Sequence, residues 1–274
     1  MEEQGAAVRD ILEDFCRRSG IPAYGICRLE NFCYLPSRKQ KLLPDCGSVL
    51  LFVLPYYAGA FPERNISLYA VGEDYHTIAQ SLLSDAVAHL KAAFPHNLFL
   101  TFSDSGPIPE VEAAIRAGLG FRGRNRQFIT ERYGSLCFLA EIVTDLVLPP
   151  DVPLSRTTCE NCGACLAACP TGALSEAGFA VERCRSHITQ KKRELSPWEE
   201  EQIAAGSLAW GCDLCTLACP HNHGVPRSPI EAFLRQLDPI LTEENLTALA
   251  ARKSYGWRGE AVLRRNLALI EKKG

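Results

Sequence analysis

Seven of the thirteen cysteines in this 274-residue chain fall in two short runs, Cys159-x2-Cys162-x2-Cys165-x3-Cys169-Pro170 and Cys212-x2-Cys215-x3-Cys219-Pro220. The first run has the spacing with which three thiolates hold one iron-sulfur cluster, while the fourth, turned away by the following proline, ligates a neighbouring cluster. Reciprocity sorts the ligands. Cys159, Cys162 and Cys165 with Cys219 hold one 4Fe-4S cluster, and Cys169 with Cys212 and Cys215 hold most of a second. The second set is one ligand short, because the position three before Cys212 is Ala209. Cys184 is the nearby candidate.

Structural zinc is the competing reading, since paired C-x2-C units also build ribbons that hold the metal with four thiolates. A ribbon needs two pairs, whereas these runs carry seven cysteines with an eighth between them. A disulfide framework fits less well, because the cysteine total is odd and no secretory leader is expected from the acidic first residues. Cys16, Cys27, Cys33, Cys46 and Cys137 then read as ordinary thiols.

With 47% hydrophobic residues and a net charge of -3, the composition is that of a soluble globular chain with room for a sizeable core. The longest apolar run, 49–55, is too short to cross a bilayer, and the first ten residues are acidic, so no membrane partner and a cytoplasmic location are expected. Net charge gives no nucleic-acid signal. Local charge does: Arg122, Arg124 and Arg126 alternate after a glycine turn, residues 183–193 hold five basic side chains, and Lys272-Lys273 closes the chain.

Residues 1–150 alternate helical and strand patterns, which argues for an α/β layer. Helices are expected over 3–19, 74–94 and 109–117, and strands over 23–29, 48–54 and 97–102. Residues 127–129 and 136–143 read as a hairpin across a Tyr133-Gly134 turn. The proline-rich join 148–153 sets the first boundary near 150. A cluster domain follows over 151–226, and then a tail, 227–274, with helical pieces at 230–237, 242–252 and 259–272. The fold class is thus α+β, with an N-terminal α/β domain, a bacterial ferredoxin-like double 4Fe-4S domain and a short helical tail.

Two clusters sharing interleaved ligands form a one-electron wire, and a wire needs a terminus. Residues 151–226 alone are about as long as a complete two-cluster carrier, so the 150-residue portion in front should house the acceptor. Gly118-Leu119-Gly120-Phe121-Arg122-Gly123 follows a helix and precedes a strand, the reverse of a dinucleotide-binding turn. No phosphate-binding loop and no H-E-x-x-H zinc motif is present.

Four stretches resemble the epoxyqueuosine reductase family, cobalamin and iron-sulfur enzymes that complete queuosine in tRNA. They are Tyr69-Ala70-Val71-Gly72-Glu73-Asp74-Tyr75-His76, Asp104-Ser105-Gly106-Pro107 with Glu110, Arg116-Ala117-Gly118-Leu119-Gly120 into Gly123, and Gly134-Ser135 entering Phe138-Leu139-Ala140-Glu141. Cys184-x-Ser186 and Gly211-Cys212-Asp213-x-Cys215 extend the likeness to residues 20–225 or so.

The resemblance implies that Cys184 completes the second cluster and that cobalamin lies between the first domain and the nearer cluster. Electrons from an external low-potential donor would pass through both clusters to cobalt. Asp104 matches the family's proton donor, and Tyr75, His76, Ser186, Asp213 and Leu214 match its cobalamin-facing positions. Arg193 matches a tRNA-side stretch, where phosphate attraction positions the RNA without reading its sequence. A carboxyl group can donate a proton at neutral pH only where its surroundings disfavour the charged form, and Phe102, Pro107 and a cobalamin face are the expected surroundings. From the residues alone, Asp104 would be a turn residue and His76 a packing or capping residue.

The chain departs from the family where substrate is concerned. An aromatic-Ile-Gly-Lys stretch is here Phe121-Arg122-Gly123-Arg124, and position 191 is Lys rather than acidic. Of the C-terminal helical repeats of longer relatives only a stub is expected, including Trp257-Arg258-Gly259 and Arg264-Arg265-Asn266. Three readings follow: reduction of epoxyqueuosine in tRNA, a cobalamin-dependent reduction of another small substrate akin to reductive dehalogenation, and a non-enzymatic electron carrier.

Overall fold

The computed structural model describes residues 2–30, 46–154 and 158–271. Cys33 and the Lys272-Lys273 pair lie outside them. The first part comprises α1 (Glu2–Ser19), β1 (Ala23–Arg28), β2 (Ser48–Pro55), α2 (Tyr75–Ala93), β3 (Phe99–Phe102), α3 (Glu110–Arg116), β4 (Phe121–Arg122), β5 (Phe128–Ile129) and β6 (Cys137–Thr144). α1 carries Val8, Leu12 and Phe15 on one buried stripe, with acidic residues in its first turn and Arg17 and Arg18 in its last, which suits the helix dipole.

Four strands form an antiparallel sheet in the order β1-β2-β6-β3. β2 is buried along its whole length, which explains why it reads as a continuous apolar run rather than an alternating one. Its Leu50, Phe52 and Leu54 pack with α1 and α2, while Val49, Leu51 and Val53 meet Ala113, Ala114 and Ala117 at α3. Burying each of these side chains contributes about 1.5–3 kcal/mol.

The expected hairpin does not form. Phe128 pairs instead with Arg122 and Ile129 with Phe121 in β4, and β6 lies between β2 and β3 in the main sheet. The Tyr133-Gly134 turn yields a single bridge, Thr130 to Gly134. β6 is too apolar on both faces for an exposed ribbon, so long-range burial overrides the local turn signal. The 148–153 join is also no free spacer: Asp151 accepts from the Ile26 N–H at 2.8 Å and pairs with Arg9 at 2.9 Å along the open edge of β1.

The cluster segment contains α4 (Ala164–Ala167), β7 (Leu174–Ser175), β8 (Gly178–Phe179), α5 (Arg185–Thr189), α6 (Pro197–Ala204) and α7 (Leu214–Leu217). Its two cysteine runs fold alike. Ala167 N–H donates to Gly163 and Cys169 N–H to Leu166, as Leu217 does to Asp213 and Cys219 to Thr216. α6 opens with a capping box between Ser196 and Glu199 and has Pro197 in its first turn.

The tail is less helical than its pattern suggests: 231–234 is a single 3-10 turn, followed by α8 (Leu246–Ala250) and α9 (Glu260–Glu271). Ile230 and Phe233 enter the core beneath α1 and α2. Leu241, Leu246, Leu249, Tyr255, Leu263 and Leu267 close over Ile66 and Trp210, tying both preceding parts together.

Candidate functional site

The cysteines divide between two cavities. Cys159, Cys162, Cys165 and Cys219 line one, together with Arg124 and His221. Cys169, Cys184, Cys212 and Cys215 line the other, of about 330 Å³. Four thiolates ringing each cavity are the donor set that a 4Fe-4S cluster takes.

Cys184 reaches the second cavity as the residue that precedes the first turn of α5. Ala209, by contrast, is fully buried; its N–H donates to Asn65 O at 2.7 Å and its carbonyl accepts from Asn266 Nδ2 at 2.8 Å. Position 209 is therefore committed to joining the domains. Burial and then the neighbouring Cys212, Cys184 and Cys169 push the Cys215 thiol up to about 12. Burial also acts on Cys169, but the N–H groups of Leu174, Thr171 and Ala173 and the Thr171 hydroxyl outweigh it and lower that thiol. Such donors are the levers by which a protein sets a cluster's potential.

Side chains from the first part hold the cluster loops. Ser67 Oγ donates to the Asp213 carboxylate, which also accepts from Leu68 N–H at 3.0 Å and pairs with Arg64 at 3.1 Å. Asp213 is buried and its carboxylate is occupied by this network, so it faces the second cavity as part of the wall. Asn222 accepts from Ser135 N–H at 2.7 Å and donates to Thr216 O at 2.6 Å. A Cβ at Gly134, which has φ +55°, would lie 1.9 Å from Asn222 Oδ1, so this crossing requires glycine. Ser186 and Leu214 line the second cavity, and Leu214 is 41% exposed.

A third cavity, of about 710 Å³, is lined by Tyr69, Tyr75, His76, Asp104, Gln190 and Trp257, among others. Tyr69 also lines the second cysteine cavity. It is fixed there by Trp210, whose Nε1 donates to its hydroxyl at 2.7 Å, and by edge contacts to Tyr75 and Phe138. Phe138 on β6 stacks on Tyr75 with ring centroids 4.0 Å apart. Flat aromatic walls around an open volume of this size suit a large planar ligand better than a small polar one.

Asp104 lies in the loop between β3 and α3 at φ +62°, a left-handed conformation uncommon outside glycine. Its side chain is 57% exposed and accepts a hydrogen bond from the Tyr75 hydroxyl, with His76 Nε2 at 3.7 Å. Phe102 and Pro107 are buried, so the protein itself surrounds the carboxylate with a phenol and an imidazole rather than an apolar wall. Burial and then the Asp104 charge push the Tyr75 phenol upward, which keeps it a donor. Asp74 caps α2 by accepting from His76 N–H at 3.0 Å and also binds His76 Nδ1 at 2.7 Å. His76 is thus both a capped helix residue and a member of the cavity wall.

Beneath the same loop, burial first and the Asp104 charge second push Glu110 up to about 8, against the pull of the Asp104 backbone N–H.

Much of the basic run at 183–193 is engaged by partners elsewhere in the protein. Arg183 donates to Thr171 O and lies over Trp198, Arg185 is buried, and Lys191 and Arg193 both pair with the buried Glu199. Arg193 remains 58% exposed while bidentate to Glu199. Arg122 and Arg126 lie exposed on the β4–β5 turn, and Arg124 pairs with Glu176.

Tyr56, which lines the second cysteine cavity, and Gln190 and Ser254, which line the third, carry no signal of a site in the sequence. Gln190 lies six positions after Cys184, at the far end of α5, and only the helix's orientation brings it to Asp104's cavity. Ser254 comes from the tail, whose packing has no short-range signature.

Among the described residues, no helix is long and apolar enough to cross a membrane. A family model described as a 4Fe-4S double cluster binding domain matches residues 158–222, and one described as epoxyqueuosine reductase QueG, DUF1730, matches residues 37–105. An epoxyqueuosine reductase from Gloeobacter violaceus is 35% identical over 91% of this chain and 82% of its own length. Another, from Bacillus cereus, is 31% identical over 84% of this chain, which spans 65% of that relative.

A crystal structure of epoxyqueuosine reductase with an epoxyqueuosine-modified tRNA-Tyr stem loop superposes with TM-score 0.84 and 26% identity, covering 97% of this chain and 82% of that one. A reductive dehalogenase structure, described as suggesting a mechanism for B12-dependent dehalogenation, shares the fold at 18% identity with TM-score 0.53, over 94% of this chain and 36% of that one. Taken together with the double 4Fe-4S binding domain, these likenesses establish that the chain belongs to the epoxyqueuosine reductase family.

Proposed function

We propose that this protein is a cobalamin-dependent reductase that draws electrons through two 4Fe-4S clusters and reduces epoxyqueuosine to queuosine in tRNA. The observation that carries the reading is Tyr69, which lines both the cavity ringed by Cys169, Cys184, Cys212 and Cys215 and the cavity that holds Asp104. One side chain therefore separates an electron source from a proton source. The stem-loop complex of a relative of the same fold supports tRNA as the substrate carrier. The remote likeness to a protein described in terms of B12 chemistry is in keeping with a corrinoid in the aromatic-walled cavity.

Converting an epoxide to an alkene consumes two electrons and two protons and releases the oxygen as water. Bound cobalamin supplies a low-potential metal centre able to deliver electrons to the epoxide carbon. The chain's own residues do the rest. Cys159, Cys162, Cys165 and Cys219 hold the outer cluster, and Cys169, Cys184, Cys212 and Cys215 hold the one nearer the reaction. Asp104, turned into the cavity by its left-handed backbone, is placed to relay a proton to the leaving oxygen. Tyr75 fixes the carboxylate's orientation from one side. Ser186, Asp213 and Leu214 line the nearer cluster's cavity, which meets the corrin's cavity at Tyr69, and Arg193 offers an exposed cation to RNA phosphate.

The test is spectroscopic. Protein reconstituted with iron and sulfide and then incubated with cobalamin should retain corrinoid absorbance through gel filtration, and adding a strong reductant should reduce the bound cobalt. Retained iron-sulfur bands with no bound corrinoid would refute the assignment and leave a plain electron carrier.

A further inference from the structure

Trp257 exposes 61% of its surface, although an indole gains more from burial than almost any other side chain. The backbone that carries it is clamped on both sides. Lys253, fully buried, donates from Nζ to Val71 O at 2.7 Å, Gly72 O at 2.8 Å and Gln236 O at 2.6 Å, and pairs with Asp238 at 2.9 Å. Tyr255 is also fully buried, 6.0 Å from the Trp210 ring. A Cβ at Gly256 would lie 1.7 Å from Ala250 O, so the turn that presents Trp257 is packed down onto α8. Val71 and Gly72 lead directly into Asp74 and His76, so the clamp fixes the indole relative to the Asp104 cavity.

One face of the ring is already covered. The Arg258 guanidinium lies 3.7 Å from its centroid, in cation–π geometry. The side chain meanwhile lines the cavity mouth with Ser254, Gln190 and Asp104. A rigid indole backed by a flat cation is the kind of surface on which unpaired bases stack, with the cation close to the phosphates that accompany them. A small free substrate would be enclosed deeper in the cavity and would have no use for a platform at its rim.

We propose that Trp257, backed by Arg258, is a stacking platform for an unpaired base of the RNA that carries the reacting nucleoside; the inference rests on the tRNA reading above. It assigns a substrate contact to the tail, outside both the cluster ligands and the Asp104 loop. Its competitor is that the indole covers the corrin, and the experiment separates the two.

The experiment uses full-length protein reconstituted with clusters and cobalamin, comparing wild type with Trp257→Ala and Trp257→Phe. The probes are an anticodon stem-loop RNA carrying epoxyqueuosine, and cobalamin itself. Trp257→Ala should weaken stem-loop binding about 5- to 100-fold, the worth of one base–aromatic stack. Trp257→Phe should recover most of it, with KM moving more than kcat and cobalamin affinity falling less than twofold in both variants. Unchanged stem-loop affinity in Trp257→Ala would overturn the inference, as would a parallel loss of cobalamin affinity, which would place the indole on the corrin. If wild type binds no stem-loop at all, the tRNA reading falls with it. If wild type binds and converts the RNA while Trp257→Ala matches it, only the platform falls.

Discussion

Nε2 of His76 lies 3.7 Å from Oδ2 of Asp104, while Nδ1 of the same ring lies 2.7 Å from Oδ1 of Asp74. The imidazole is therefore held between two carboxylates. With the Tyr75 hydroxyl donating to the same Oδ2, Asp104 has a defined orientation although its side chain is more than half exposed.

Replacing Asp104 by Asn keeps the shape of this arrangement and removes the carboxyl group that relays the proton. Conversion in a single turnover should fall about 10²–10⁴-fold, the usual worth of a positioned acid. Tyr75→Phe removes one hydrogen bond to a charged group and should cost roughly tenfold. Iron content and iron-sulfur absorbance should be unchanged in both. A Tyr75→Phe rate equal to wild type would show that the phenol does not position Asp104.

Cys184→Ala should halve bound iron, from about eight to about four per chain, by removing the nearer cluster while sparing the outer one. Adding Ala209→Cys to that variant should not restore it, because position 209 is fully buried between Asn65 and Asn266 rather than in the cavity. Iron and sulfide analysis decides the matter, and full iron in Cys184→Ala alone would displace Cys184 from the ligand set.

Glu110 gives a pH signature. Burial raises its folded-state value to about 8, above the ordinary 4.3 or so of the unfolded chain. A raised carboxyl group favours the folded state while protonated, so its contribution is complete below about pH 4 and is lost as pH rises toward 8. Glu110→Gln should therefore gain in melting temperature relative to wild type as the pH is raised from 5 to 8. A difference that stays constant across that range would show that Glu110 does not titrate there.

Glu199 should behave in the opposite sense. Hydrogen bonds from Arg193, against the cost of burial, and then from Lys191 and Ser196 hold its carboxyl well below the usual range. Its contribution is present above about pH 4 and is lost as pH falls further. Glu199→Gln takes one of Lys191's two carboxylate partners, leaving Glu182 at 2.6 Å, and should cost about 1–3 kcal/mol at neutral pH, less than for a fully enclosed pair because Arg193 is solvated. Urea denaturation at pH 7 and at pH 4 checks both the magnitude and its narrowing in acid.

Much of this was legible from residue order. The cysteine spacing sorted four residues to one set and three to another, and each set lines its own cavity; the periodicity of residues 74–94 and the apolar run at 48–54 located α2 and β2, because burial on one stripe or on both faces leaves its mark in the sequence. Partner choice was not legible. β6 carries the same apolar content whether it pairs with β5 next door or with β2 and β3 far along the chain, and only the completed core selects between them. Charge was misleading for a related reason. Five basic residues over 183–193 suggest an open patch, yet Glu199, which neutralises two of them, lies beyond the run on α6. Trp257 reaches Asp104's cavity only through the Lys253 clamp, which joins residues far apart in sequence.

The most direct measurement is nucleoside mass spectrometry on epoxyqueuosine-containing tRNA incubated with reconstituted protein, cobalamin and a low-potential reductant. Loss of one oxygen to give queuosine, dependent on cobalamin and absent in both Asp104→Asn and Cys184→Ala, is the predicted result. Unchanged epoxyqueuosine with wild-type protein that carries both clusters and bound cobalamin would contradict it.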